Sequence, residues 1–431
     1  MNILMMTNTY LPHVGGVARS VAAFSEQYRR MGHRVMVVAP EFEGMPEGEE
    51  HVVRIPAIQH FNGSDFSVVL PVSGFLSKTI NGFKPDIIHS HHPFLIGSTA
   101  LRIASLHHLP HVFTHHTLYE QYTHYVPGDS TPLKKFVIEL ATHYANLCDH
   151  IFAPSDSIAR LLKQRQVTQA ISTVPTGVEL KKFQKGSGSG FRRIIGIPED
   201  AFVVGHLGRL AQEKNLNYLA EAMSLFLKNH PHAYALIVGK GPSEIAIKNT
   251  FAREGVVDRL VMIGLLEGPM LASAYQAMDI FAFASHSETQ GMVLTEAMAA
   301  GVPVVALDAP GVREVIHDRQ NGQLLFNETT ANFAKVLESF SHIPEKKLQQ
   351  YQQMALATAE MFSIENSAKK ALGIYQRLIH EDRKHRQENE DLWSGLLPLI
   401  ETEWQLIKGY AESARMAIWG TSELGDTEWE S

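Results

Sequence analysis

The sequence predicts an α/β protein built of two doubly wound domains with a helical extension at its carboxyl end. Three observations predict it. Short apolar runs hand over repeatedly to segments of helical periodicity, first over residues 2–39 and again from residue 202, the pattern of parallel strands alternating with helices. A glycine- and serine-rich stretch at 186–190 separates the two series. Beyond residue 380 the composition changes, and all four tryptophans, Trp393, Trp404, Trp419 and Trp429, fall there. The reading divides the chain into 1–175, a connector at 176–200, 201–363, a helix at 364–380 and a tail at 381–431.

The first domain opens with a strand from Asn2 to Thr7, a loop with Gly15 and Gly16, a helix from about Ser20 to Met31 and a second strand from His33 to Ala39. Ligands gather at the carboxyl ends of such strands, and Gly16 lets a polar ligand come close to the backbone; a plain tight turn is the competing reading. The spacing is not Gly-x-Gly-x-x-Gly, so a dinucleotide cofactor is not supported. Pro85-Asp-Ile-Ile-His-Ser-His-His and Pro110-His-Val-Phe-Thr-His-His-Thr each read as a strand ending in polar residues at one edge, which would bring His89, His91, His92, His115 and His116 together. No cysteine or carboxylate stands at ligand spacing among them, so no metal is expected. Downstream, Tyr119, Tyr122 and Tyr125 precede a helix in which Leu133, Phe136, Val137, Leu140, Tyr144 and Leu147 recur at helical spacing beside Lys134 and Lys135. The stripe is either core or a surface for an acceptor or a bilayer.

The Gly-Ser-Gly-Ser-Gly run reads as a flexible connector. The second domain begins with the strand Phe202-Val-Val-Gly-His-Leu-Gly-Arg-Leu, and Lys214 follows Arg209 by five residues. Two cations beside one strand end suit a departing diphosphate, on which charge accumulates during transfer; solvated cations at a helix start are the plainer reading. Strands at Ala233 to Gly239 and Arg259 to Gly264 come next, and Asp279-Ile-Phe-Ala-Phe-Ala-Ser reads as a buried strand that passes directly into a helix from Met292 to Ala300, stopped by Gly301. Glu288 lies in the junction and Glu296 inside the helix. Gly291 admits a ligand to the backbone, and the N–H groups of Met292 and Val293 carry the positive end of the helix dipole, which suits a phosphate. Two carboxylates in a site that favours phosphate make sense if they bind hydroxyls, as a sugar and a ribose supply them; the alternative is a capped helix with two solvated glutamates.

The stretch Glu-Thr-Gln-Gly-Met-Val-Leu-Thr-Glu-Ala-Met-Ala-Ala-Gly-Val-Pro-Val-Val resembles the donor signature of retaining nucleotide-sugar glycosyltransferases of family four, and the resemblance extends over nearly all of residues 1–380. It implies a GT-B architecture, two Rossmann-like domains with a nucleotide diphosphate sugar in the cleft, UDP-sugar before GDP-sugar, and a helix at 364–380 returning to the first domain. It implies transfer of a hexose with retention, no cofactor and no carboxylate cradle for a metal. It assigns Arg209 and Lys214 to the leaving diphosphate, Glu288 to sugar hydroxyls, Glu296 to the ribose and His116 to a place over the donor sugar, with His115 where the family usually has an aromatic residue. His-Thr-x-Tyr-Glu-x-Tyr-x-His-Tyr is similar to members that glucosylate diacylglycerol, which implies a lipid or glycolipid acceptor ahead of a soluble sugar or polysaccharide. A nucleotide-sugar 2-epimerase and a non-catalytic binder of nucleotide sugars are the rival readings.

Composition narrows the partners. At 431 residues, 45% hydrophobic and 19% charged, the chain has enough for two cores. The net charge of −7 resides in residues 381–431, which hold 12 acidic and 5 basic side chains and leave 33 of each sign in the rest. Nucleic acid, which selects a basic face, is not an expected partner. The single cysteine, Cys148, makes no internal disulfide, so a reducing cytoplasm is expected, with any bilayer contact peripheral and at the inner face of the membrane. In the tail Trp393, Leu396, Leu397, Ile400, Trp404, Ile407 and Ala411 share a helical face, which leaves packing on the body, a homodimer contact and membrane seating open.

Overall fold

The structure, a computed structural model, describes residues 1–13, 15–58, 68–69, 73–121, 130–286, 288–326 and 329–388. Tyr122, Tyr125 and the tryptophan-containing tail lie outside the described residues. The chain separates into two compact units, one made of Met1–Gly177 with the helix that begins at Ile364, the other of Val178–Ser363.

The first unit runs β1 (Asn2–Met6), α1 (Gly16–Arg30), β2 (Arg34–Pro40), β3 (Val52–Ile55), β4 (Ala57–Ile58), β5 (Val68–Val69), α2 (Ser73–Phe83), β6 (Ile87–Ser90), α3 (Ile96–His107), β7 (His111–Thr114), α4 (Thr131–Asn146), β8 (His150–Ala153), α5 (Asp156–Gln164) and β9 (Ile171–Thr173). Seven of the strands form a parallel sheet in the order β3-β2-β1-β6-β7-β8-β9. Its central strands β6, β7 and β8 are buried at every residue, including His89, Ser90, His111, Thr114 and His150, so their apolar residues do not alternate with exposed ones. Two helices start at serines that accept a backbone hydrogen bond: Ser130 from Leu133 N ahead of α4 and Ser155 from Ile158 N ahead of α5. α1 begins at Gly16, earlier than the Ser20 expected, because extended Gly15 already caps it; Gly16 is therefore part of the helix's first turn and not of a loop.

The second unit runs α6 (Leu180–Phe183), α7 (Gly188–Ile195), β10 (Phe202–Leu207), α8 (Leu216–Asn229), β11 (Ala233–Val238), α9 (Glu244–Arg253), β12 (Leu260–Ile263), α10 (Gly268–Gln276), β13 (Ile280–Phe283), α11 (Met292–Ala299), β14 (Val304–Leu307), β15 (Gly322–Leu325), α12 (Thr330–Ser341) and α13 (Glu345–Met361). Its parallel sheet has the order β12-β11-β10-β13-β14-β15, with an apolar core on each face. The last described helix, α14 (Ile364–Glu388), belongs to the first unit. Ile364, Ala368, Ala371, Leu372 and Tyr375 join the core that lies over β1 and α1, and the Tyr375 ring meets that of Tyr28 edge-on at 5.8 Å. Among the described residues no helix is long and apolar enough to cross a membrane.

One expectation is overturned. The glycine- and serine-rich stretch is packed and helical, not a flexible connector. Ser187 Oγ accepts from Gly190 N to cap α7, and Ser187 N donates to Ser273 Oγ of α10. From α7, the buried Arg192 donates to the carbonyls of Ala277, Glu199 and Ala201 and to Asp279 Oδ2 at 2.8–3.0 Å. The glycines serve close approach: a Cβ on Gly188 would sit 2.1 Å from the Gln276 carbonyl oxygen. Gly188→Ala should accordingly lower the unfolding free energy by about 1–3 kcal/mol, the usual cost of overpacking. Urea titration reads this, and a wild-type midpoint would mean that the stretch yields as a connector does.

Candidate active site

Each sheet reverses its strand order once, between β1 and β6 in the first unit and between β10 and β13 in the second, and a crevice opens at the carboxyl ends of the strands there. The predicted donor residues collect at the second of these points. From β10 the chain passes Gly208 and Arg209 into a single 3-10 turn, Gln212–Lys214. From β13 it passes through residues 285–291 into α11. The two exits clasp each other. Lys214 Nζ donates to Glu288 Oε1 at 2.5 Å, with only 19% and 15% of the two side chains exposed; Ser285 Oγ donates to the Glu213 carbonyl, and Asn215 Nδ2 to His286 Nε2. Arg209 is half exposed, its guanidinium 3.8 Å from the Glu213 carboxylate, so both predicted cations stand at one strand end and one is already set against the predicted sugar-binding carboxylate.

The turn that carries Glu288 rests on a glycine. Gly311 has φ +75°, and a Cβ on it would lie 2.8 Å from Gln290 N and 2.9 Å from the Glu288 carbonyl oxygen. No side chain fits between that backbone and the turn. Gly291, at φ +70°, then starts α11, so the N–H groups of Met292 and Val293, which have no acceptor within the helix, emerge beside Glu288 at the positive end of the helix. Glu296, deeper in α11, is 7% exposed, and its Oε2 accepts from the hydroxyl of Tyr275, a fully buried residue of α10. A carboxylate so placed is fixed in orientation by the core.

The structure adds His206 of β10. The ladder between β10 and β13 pairs Val204 with Ile280 and Gly205 with Phe281. At the next position the imidazole stacks on Phe281 and Phe283 and donates from Nδ1 to the Ala282 carbonyl at 3.0 Å. Its Nε2 is buried, has no hydrogen-bond partner among the described residues and lies near Gly208. Burial first, then the Lys214 charge, pulls this imidazole down to about 4, so it is neutral and Nε2 is an acceptor. Neither His206, Tyr275 nor Gly311 stood out in the sequence, where a histidine in a strand, a tyrosine in an apolar helix and a glycine after a proline are ordinary.

In the first unit the histidines converge as expected. Thr7 and Asn8 leave β1 beside His92, whose Nδ1 accepts from Asn8 N at 3.1 Å. His89 Nε2 is 2.6 Å from Thr114 Oγ1 and its Nδ1 is 2.6 Å from the Tyr375 hydroxyl. His116 Nε2 lies 2.9 Å from His91 Nδ1. His115 points elsewhere, into a packed contact with Phe113 and Tyr119. Gly16 begins α1, where an added Cβ would meet nothing within 4 Å. Tyr119 departs from the expected interfacial ring: it packs edge-on against Phe94 at 5.2 Å with its hydroxyl buried, because the short 3-10 turn Tyr119–Gln121 folds it inward. The stripe on α4 is mixed. Ala141, Tyr144 and Ala145 are core, whereas Leu133, Phe136, Val137 and Leu140 are partly exposed beside exposed Lys134. Cys148 is a buried thiol that donates to the Tyr144 carbonyl.

Burial holds His92, His111, His115 and His116 down to about 3, against an ordinary 6.5. Below pH 6.5 the unfolded chain takes up protons that the folded chain refuses, so stability must fall as pH drops from 6.5 toward 3. Each such imidazole steepens the loss by up to about 1.4 kcal/mol per pH unit. Urea midpoints at pH 7.5, 6 and 5, where ordinary carboxylates are still ionised, should decline stepwise; equal midpoints would mean that these rings protonate within the fold.

Residues 14–182 match the family described as Glycosyltransferase Family 4, and residues 190–356 match Glycosyl transferases group 1. The chain is similar to the alpha-monoglucosyldiacylglycerol synthase of Acholeplasma laidlawii, 29% identical over 76% of this chain and 85% of the relative. It is similar to the enzyme of that name from Streptococcus pneumoniae, 28% identical over 76% of each chain. Its fold resembles the crystal structure of the Anabaena protein HepE in complex with UDP, with a TM-score of 0.69 and 20% identity over 88% of this chain and 100% of the other. The chain thus belongs to the group 1 glycosyltransferases of family 4: it has the GT-B architecture of two Rossmann-like domains and is a hexosyltransferase that uses a nucleotide sugar.

Proposed function

We propose that the chain moves a hexose from a UDP-sugar, or secondarily a GDP-sugar, with retention of configuration to a lipid acceptor such as diacylglycerol or a glycolipid. The observation that carries the reading is the Lys214–Glu288 pair at the switch point of the second sheet, beside Gly291 and the first turn of α11. In this reading Arg209 and Lys214 meet the charge that grows on the departing diphosphate, and the amides of Met292 and Val293 add to it. Glu288, with one oxygen on Lys214, offers the other to sugar hydroxyls. Glu296, held by Tyr275, takes the ribose. His116 supplies a hydrogen-bonding imidazole from the first unit. Because side chains and a helix end meet the leaving charge, EDTA should leave transfer largely intact. The lipid acceptor is supported by the names of the Acholeplasma and Streptococcus relatives and by the partly exposed Leu133, Phe136, Val137 and Leu140 beside Lys134 and Lys135, which suit a peripheral seat at a bilayer.

Glu288→Gln should keep the far-ultraviolet spectrum of the wild type and lose transfer by about a hundredfold or more. Activity within threefold would remove Glu288 from the site. Tyr275→Phe should weaken donor binding by about 1–1.5 kcal/mol, since it deletes one hydrogen bond to a nearly buried carboxylate without changing the shape of the core. Calorimetric titration with the nucleotide diphosphate reads this, and unchanged affinity would free Glu296 from the ribose role. For the acceptor, labelled UDP-sugar is offered with diacylglycerol in mixed micelles and with soluble glycans. Label in the soluble fraction alone, with no protein sedimenting on anionic liposomes at low salt, would replace the lipid by a water-soluble acceptor.

A further inference from the structure

His91 follows β6 directly, with its backbone N–H on the Met6 carbonyl at 2.9 Å; it is 1% exposed and has its ring fixed from two sides. One side is His89, with centroids 4.1 Å apart, and His89 is itself held by Thr114 and Tyr375. The other side is His116, with centroids 5.2 Å apart and planes inclined by 27°. The two rings share the 2.9 Å contact between His91 Nδ1 and His116 Nε2, and His91 Nε2 is buried with no hydrogen-bond partner among the described residues.

Both imidazoles are neutral, because burial and the neighbouring histidines hold each well below its ordinary value. Two neutral rings carry two protons on four nitrogens, and the shared contact uses one. If His116 donated through Nε2, the proton of His91 would have to reside on its own Nε2, as a buried N–H without an acceptor. If His91 donates through Nδ1, what remains at Nε2 is a lone pair. Orphaned buried N–H groups are rarer than under-satisfied acceptors, so the second arrangement is favoured. We propose that His91 is a positioning residue that fixes the tautomer of His116, keeping the proton of His116 on Nδ1. His116 is then a donor at that nitrogen, suited to a hydroxyl or phosphoryl oxygen of the substrates and unsuited to act there as a base. A ring released from this hold would populate the other tautomer and lose the correct one for part of the time, which is how a wrong tautomer costs rate.

The inference rests on the reading that His116 takes part in transfer, and the test separates the two. Selectively 15N-histidine-labelled protein is compared by long-range proton–nitrogen correlation, with His116 assigned through His116→Gln. The wild type should show His116 as the Nδ1–H form; the Nε2–H form would overturn the proposal whatever the kinetics. His91→Asn, whose amide can still donate near the old Nδ1 position, should keep kcat within about threefold, while His91→Phe should lower kcat by about tenfold with the donor KM little changed and His116 shifted toward Nε2–H. Should His91→Phe fail to fold, the wild-type spectrum and His91→Asn decide the matter. Full activity of His91→Phe together with loss of activity in His116→Ala would refute the positioning role. Full activity of His116→Ala would instead end the catalytic reading of His116, with the spectrum still deciding what His91 does.

Discussion

The ion pair of Lys214 with Glu288 is the charged contact that joins the exits of β10 and β13, beside the bonds of Ser285 and Asn215, and the second unit's site is built around it. Lys214 arrives from β10 and Glu288 from β13, strands that are neighbours in the sheet but far apart in the chain. Gly311, with no side chain to lift it, lets the Glu288 turn sit close to the neighbouring backbone, and the short 3-10 turn Gln212–Lys214 brings the ammonium across. A largely shielded pair of this kind is weak grounds for stability, since desolvation offsets much of the attraction. It is better understood as pre-organisation, a carboxylate and a cation each held in one orientation by the other.

Beneath the pair, the sheet itself is adapted. His206 stands just past the last β10–β13 pair, donates from Nδ1 to the Ala282 carbonyl and stacks on Phe281 and Phe283, so a neutral imidazole is held among buried aromatic rings near Gly208. Tyr275 does the corresponding work for Glu296, turning a carboxylate that would be costly to bury into one with a fixed hydrogen bond. Polar groups of the site are thus supported from the hydrophobic core, which limits how far each can move.

The first unit solves a different problem, the presence of several imidazoles in a dry interior. They remain neutral, and His89, His91, His111 and His116 are held by hydrogen bonds to one another or to the hydroxyls of Thr114, Ser90 and Tyr375, while His91 Nε2 stays without a partner among the described residues. Tyr375 comes from α14, so this helix also completes the hydrogen bonding of His89 and, by its contact with Tyr28, the core over α1. Loss of that helix would leave buried polar atoms without partners, not merely expose apolar surface.

By itself the sequence determined the class of fold, because buried parallel strands are mostly apolar and do not alternate, and helices repeat every three to four residues; β13 and α11 were legible for that reason. It also determined which charges gather at the second switch point, since Arg209, Lys214, Glu288 and Glu296 are all tied by short spacing to a strand end or a helix start. Tertiary structure alone decided the rest. Glycine in a run of Gly-Ser reads as freedom, yet Gly188 must be small because the carbonyl of Gln276, far away in the chain, lies where its Cβ would stand, and the same Gln276 donates from its side chain to the Phe183 carbonyl. Tyr119 carries an amphipathic ring, and only the turn around it sets that ring against Phe94 rather than solvent. Whether His91 touches His116, and with which nitrogen, follows from the register of β6 against β7, a relation between strands that no local pattern encodes.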